Sequence, residues 1–244
     1  GHHRYVCTAG SDSKFGIPKS KIAELKAAVS HANARVIGLH AHSGSGILTH
    51  ENWQQNANAL STLLDEFKQV RILDLGGGLG VVEKPGQNAL NLEKVNASLG
   101  EFKLAHPNLS LWMEPGRYLT AEAGVLLAQV TQIKNKTDHH YVGISTGMNA
   151  LIRPALYGAY HHIVNLSRLD ESPSQLTTIV GPICETADVL GASRLLPPCQ
   201  PGDVVLIATA GAYGAVMSSD YNMRGCPNAH FFALHSAKEK LKTP

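Results

Sequence analysis

Three apolar runs in this chain, "VIGLHAHSGSG", "VRILDLGGGLG" and "LSLWMEPGRYL", each end in a loop rich in histidine, glycine, acid or arginine. Stretches with helical spacing separate them. "KSKIAELKAAVSHAN" puts Ile22, Leu25 and Val29 on one face, a helix from Asn52 carries Leu60, Leu63, Leu64 and Phe67, and a third carries Leu92, Val95, Leu99 and Phe102. Repeated strand–helix units of this size predict parallel strands with helices outside, in a barrel or an open sheet.

Beyond about residue 122 the pattern changes. "GVLLAQVTQI", "HYVGIS", "LTTIVG", "DVVLIAT" and "HFFALHS" are short strand-like runs, parted by turn residues such as "ESPS", "PPCQPGD" and "YNMRGCPN". No convincing helical stripe remains. The expectation is an α/β domain over 1–122 and an all-β domain over 123–244, with the change inside "RYLTAEAG". The 244 residues, 43% hydrophobic, supply ample apolar material for two cores.

Composition narrows the function classes. The net charge of +2, from scattered Lys and Arg, gives no basis for nucleic-acid or membrane-surface binding. No apolar run approaches the roughly 20 residues that span a bilayer. No secretory signal opens the chain. Cys7, Cys184, Cys199 and Cys226 lack CxxC or zinc-type spacing, which points to free thiols and a cytoplasmic location. The HH pairs at residues 2–3, 139–140 and 161–162 lie among polar residues and are expected to be solvated loop histidines.

Ligands of barrels and open parallel sheets sit beyond the carboxyl ends of the strands, where all three unusual loops fall. "DLGGGLG" has the composition of a backbone phosphate cradle, or of a plain tight turn. Ser45, between glycines in "HSGSG", adds a hydroxyl. Glu114 suits a cationic ligand nitrogen, and equally a structural ion pair with Arg117. His40 and His42, two apart, would share one side of a strand. They could form a metal pair or offer a flat imidazole to a ring-shaped cofactor. A metal would need further His or Asp ligands from the other strand ends, which supply glycines and "EPGR", so no metal site is expected.

Taken together, "SDSKFGI", "GLHAHSGSG", "LDLGGGLG", "MEPGRYL", "GMNALIRPALYGAYH", "VGPICETADVLG" and "GAYGAVMSSDYN" resemble the fold-type III, pyridoxal-phosphate-dependent decarboxylases over nearly the whole chain. "RPALYGAYH" and "GPICE" are most similar to the diaminopimelate-decarboxylating branch, and "STGMNALIRPALYG" resembles the form fused behind an aspartate kinase. The resemblance implies part of an alanine-racemase-like (β/α)8 barrel followed by a C-terminal β-domain. It implies pyridoxal 5′-phosphate as cofactor, an amino-acid substrate, and a homodimer whose Cys184 segment completes the partner subunit's site.

Carried over by position, the resemblance implies that His42 stacks on the pyridine ring and Glu114 meets its nitrogen. Ser45 with Gly76, Gly77 and Gly78 would hold the phosphate. Arg117 would lie between phosphate and substrate, and Tyr213 would reach both. Arg153 and Tyr157, four apart on one helical turn, would bind the substrate's distal carboxylate. Cys184 would donate the proton and Glu185 would bind the distal amino group.

The chain departs from the family in one respect above all: no lysine stands in the "YAxKAN"-like setting of the family's Schiff-base lysine. Lys14, Lys19, Lys21 and Lys26 fall in a loop or on an exposed helix face, and Lys84 sits in a turn beside Pro85 and Gly86. With the opening "GHHRYVCTAG" lacking Met, this predicts a carboxy-terminal piece of a longer enzyme, unable to carry the reaction by itself. "CETAD" stands where relatives more often read "CESGD", which leaves the role of Asp188 open. The expected reaction is conversion of meso-diaminopimelate to L-lysine and CO2. The rivals are an ornithine- or arginine-type decarboxylase, a catalytically dead regulatory relative, and a metal-dependent barrel hydrolase.

Overall fold

A computed structural model describes residues 13–137 and 139–232. Cys7, His2, His3, the start of "SDSKFGI" and the end of "HFFALHS" lie outside that range. The chain divides into two compact units, Gly1–Gly124 and Val125–Pro244.

In the first unit, β1 (Gly38–His40), β2 (Ile72–Asp74) and β3 (Ser110–Trp112) form a parallel sheet in the order β1-β2-β3. The register sets His40 opposite Asp74 and Asp74 opposite Trp112, so the three strands end level. α1 (Ile22–His31) precedes β1, α2 (Glu51–Ser61) and α3 (Leu92–Ala105) connect the strands, and α4 (Gly116–Thr120) follows β3. This is the parallel strand-and-helix arrangement that the alternating pattern predicts. Asn91 caps α3, its side-chain oxygen accepting from Lys94 N at 2.9 Å.

The α2 stripe needs correction. The helix stops at Ser61; Leu63 and Leu64 follow in turns, and Phe67 lies beyond them. The hydroxyls of Ser61 and Thr62 bond back to the carbonyls of Asn58 and Ala59, each at 2.8 Å, and compete with the helical ladder at that point. The buried face of α2 is instead Trp53, Ala57 and Leu60, packed in a core with Leu73, Leu75, Val95 and Phe102. Burial of a large side chain contributes about 1.5–3 kcal/mol.

The second unit is a six-stranded sheet, ordered β6-β9-β4-β5-β7-β8. Its strands are β4 (Leu126–Lys136), β5 (His139–Ile144), β6 (Ile163–Asn165), β7 (Gln175–Val180), β8 (Val189–Leu196) and β9 (Val204–Ile207). All neighbours are antiparallel except β5 and β7. Val130, Val142, Ile144, Ile179, Leu190, Val205 and Ile207 make its core.

Four expectations change here. β8 carries no clean alternation in sequence, because "VLGASRLL" contains a glycine and Ser193 at φ 53°, where the β7–β8 pairing is irregular, and β6 is only three residues long. His230, Phe231 and Phe232 are not in a strand. The histidine pairs are not loop residues in common: His139 and His140 open β5, and His161 is fully buried. A short helix, α5 (Arg153–Tyr157), also interrupts the all-β pattern.

Candidate active site

Beyond β2 the chain passes through Gly76, Gly77 and Gly78, wedged between the loops that follow β1 and β3. A Cβ on Gly77 would stand 2.2 Å from the carbonyl oxygen of Glu114, and one on Gly78 would stand 2.3 Å from that of Gly44. The glycines are therefore demanded by the protein's own packing. Two of the turn's amides are also engaged internally. Gly76 N donates to Asp74 Oδ1 at 3.0 Å and Gly77 N donates to His42 Nδ1 at 3.1 Å. The expected row of open N–H donors is thus reduced, because the turn uses them to fix its neighbours.

Those bonds bring the loops together. His42 Nδ1 accepts from Gly77, which sets the ring's orientation. Trp53 Nε1 donates to the Gly77 carbonyl at 3.0 Å, and Glu114 N donates to that of Gly76 at 3.0 Å. Arg117, its side chain 8% exposed, donates through Nη2 to Ser45 Oγ at 2.7 Å and through Nη1 to Glu83 Oε1 at 3.1 Å. So His42, Ser45, the glycine turn, Glu114 and Arg117 are gathered at one end of one sheet. Glu83 went unnoticed in the sequence because it lies nine residues past the end of β2, in a loop with no periodicity.

The two histidines of "HAH" differ in role. β1 ends at His40, so the alternation rule does not extend to His42. His40 Nε2 lies 3.2 Å from Glu114 Oε2, and His40, Asp74 and Glu114 each place a ligand atom within 4.8 Å of the others. The premise that the neighbouring strand ends offer no carboxylate to His40 is thereby corrected. The level ends of the three strands, which no spacing reveals, supply two.

In the second unit, Arg153 and Tyr157 stand at the two ends of α5, and Gly158 ends that helix in the left-handed region at φ 61°. Arg153 is buried, with Nη1 3.1 Å from His161 Nε2. Cys184 and Glu185 are exposed on the loop between β7 and β8, so Cys184 is not a core thiol. The Tyr221 hydroxyl donates to Glu185, and that bond pushes the phenol above its ordinary pKa. Asp188 anchors the loop: its carboxylate accepts from Met148 N at 2.6 Å and Ile183 N at 2.7 Å. Burial pushes its pKa up, against the two amides and Arg224. Tyr213 lies at φ 65°, a strained setting for a bulky residue. Cys199 is buried and Cys226 exposed.

A parallel strand–helix unit with its polar loops at the carboxyl ends, followed by a β-rich unit, is the alanine-racemase-like architecture of fold-type III proteins. A family model described as "Pyridoxal-dependent decarboxylase, C-terminal sheet domain" matches residues 5–211. The chain belongs to this family of pyridoxal-dependent decarboxylases. The diaminopimelate decarboxylase of Methanothermobacter thermautotrophicus is 36% identical, over 93% of this chain and 55% of its own length. That of Aquifex aeolicus is 36% identical, over 98% of this chain and 57% of its own. The crystal structure of diaminopimelate decarboxylase from Helicobacter pylori complexed with L-lysine superposes with a TM-score of 0.79 at 32% identity, covering 91% of this chain and 56% of that one. The chain spans about half the length of the curated relatives it matches.

Proposed function

We propose that this chain supplies the anion-binding and acidic side of a pyridoxal 5′-phosphate site, together with substrate-binding residues, in a decarboxylase that converts meso-2,6-diaminopimelate to L-lysine and CO2. One observation carries the reading: His42, Ser45, Gly76–Gly78, Glu114 and Arg117 converge at the carboxyl end of a single parallel sheet. Their chemistry fits that cofactor. A hydroxyl beside a largely enclosed guanidinium suits a phosphate, a flat imidazole suits an aromatic face, and a carboxylate suits a ring nitrogen.

When bound, pyridoxal phosphate supplies an electron sink for the pair left on Cα as CO2 departs. Glu114 holds a proton at the ring nitrogen, which deepens that sink. His42, its ring fixed by the Gly77 amide, would offer its flat face to the pyridine ring. Ser45 and Arg117 bind the phosphate beside the Gly76–Gly78 turn, with Glu83 steadying the guanidinium. Arg117 would also serve the substrate, and Tyr213 would take part in binding cofactor and substrate in the full-length enzyme. Arg153 and Tyr157 bind the carboxylate that stays in the product, and Glu185 binds the distal amino group. Cys184 holds the proton delivered to Cα, a task for which its exposure suits it.

The need for Arg153 favours diaminopimelate over ornithine or arginine, which carry no distal carboxylate. In this reading the lysine that anchors the cofactor comes from a segment upstream, and the working protein is a homodimer that shares its sites. The test is turnover by the full-length gene product. Expected are CO2 and lysine from meso-diaminopimelate, with pyridoxal phosphate retained on dialysis and seen in the visible spectrum. Faster consumption of ornithine or arginine, or a product that retains no pyridoxal phosphate, refutes the reading.

A further inference from the structure

His161 is 0% exposed and Arg153 2% exposed, eight residues apart, with the left-handed turn at Gly158 folding one back onto the other. Nη1 of Arg153 stands 3.1 Å from Nε2 of His161. A guanidinium has only donors, so Nε2 must be the acceptor. The ring hydrogen then belongs on Nδ1, where the Ala208 carbonyl lies 2.9 Å away and accepts it. Thr209 Oγ1 donates to the same carbonyl at 2.8 Å and lies 3.3 Å from Nδ1. Thr209 holds φ 54°, a conformation rare for a β-branched residue. Ala208 N donates to the His162 carbonyl at 2.8 Å, continuing the β6–β9 pairing past Ile163 and Ile207. One tautomer and one ring orientation of His161 are thus imposed by the sheet.

We propose that His161 is a positioning residue: it fixes the plane of the Arg153 guanidinium, and so sets selectivity for ligands that bear a carboxylate at their distal end. This rests on the proposed function, in which Arg153 meets that carboxylate. Two parallel N–H···O bonds form only when the guanidinium and carboxylate planes align, so an acceptor locking one edge of the guanidinium governs that alignment.

The test compares two competitive inhibitors of diaminopimelate turnover by the full-length holoenzyme. One is L-lysine, which keeps the carboxylate; the other is 1,5-diaminopentane, the same chain without it. His161→Leu keeps similar volume and removes the acceptor, whereas His161→Gln can accept from Arg153 and donate to Ala208. For the Leu variant, Ki for lysine should rise about 10- to 100-fold while Ki for 1,5-diaminopentane stays put. The Gln variant should recover most of the lysine affinity. Equal rises for both inhibitors indicate a merely structural role and overturn the proposal, as does unchanged lysine affinity in the Leu variant. Should the Leu variant fail to give the wild-type circular dichroism spectrum, the Gln variant decides: loss of lysine affinity there also overturns it. A wild-type holoenzyme without diaminopimelate turnover removes the functional reading itself, which is a separate outcome.

Discussion

Gly77 shows how little freedom the site has at the scale of one residue. A methyl group there would meet the Glu114 carbonyl at 2.2 Å, and neither neighbour is a flexible side-chain tip that could swing away. Gly77→Ala is expected to destabilise the chain by about 1–3 kcal/mol, the usual range for overpacking, as measured by urea denaturation. It should weaken retention of pyridoxal phosphate as well, because the same shift displaces Glu114 and the amide that orients His42. Cys184 is the opposite case. It is exposed, so Cys184→Ala should change stability by less than about 0.5 kcal/mol. In the full-length enzyme its kcat should fall by roughly 10²- to 10⁴-fold if the thiol is the proton donor. An unchanged kcat would give that role to another group.

At the scale of elements, two carboxylates hold the β-rich unit to its register. Asp188 accepts from amides on two different loops, so Asp188→Ala leaves Met148 N and Ile183 N without that acceptor. A loss of about 2–5 kcal/mol is expected, together with faster proteolysis of the Cys184 loop. Asp203, at the start of β9, accepts from Asn165 Nδ2 at 2.9 Å, Arg168 Nε at 2.8 Å and Gln200 N at 2.9 Å. Burial pushes its pKa up, but the bonds from Asn165, Arg168 and Gln200 outweigh that and hold the carboxyl below its ordinary 3.8. Since the folded value is the lower one, this stabilisation is present above pH 3.8 and is lost as pH falls through the depressed value. Denaturation midpoints of the wild type and Asp203→Asn should therefore differ most above about pH 4 and converge in stronger acid. A gap that stays constant with pH would contradict the assignment.

For the molecule as a whole, the convergence of three loops predicts where ligand binding will be felt. Hydrogen exchange of the full-length product, with and without pyridoxal phosphate, should show new protection in residues 42–46, 76–80 and 114–117 together. Binding at 100 times Kd contributes about 2.7 kcal/mol, enough for a clear signal. Protection confined to one loop would break the site apart. The sequence alone determined the parallel strand–helix units, the β-rich character of the second half and the polar, glycine-rich loops at the strand ends. Those depend on periodicity and on turn residues, which are local in the chain. It could not expose Asp74 beside His40, Glu83 beneath Arg117 or the buried acceptor His161, nor tell that α2 would yield its last turn to two hydroxyls. The first three depend on strand register or on contacts between residues distant in sequence, and hydrogen-bond partners across such gaps leave no spacing behind; the early stop of α2 is local, set by bonds to carbonyls three residues back. Only the folded chain decided them, by levelling the ends of three strands and by burying polar groups where each had to find a partner.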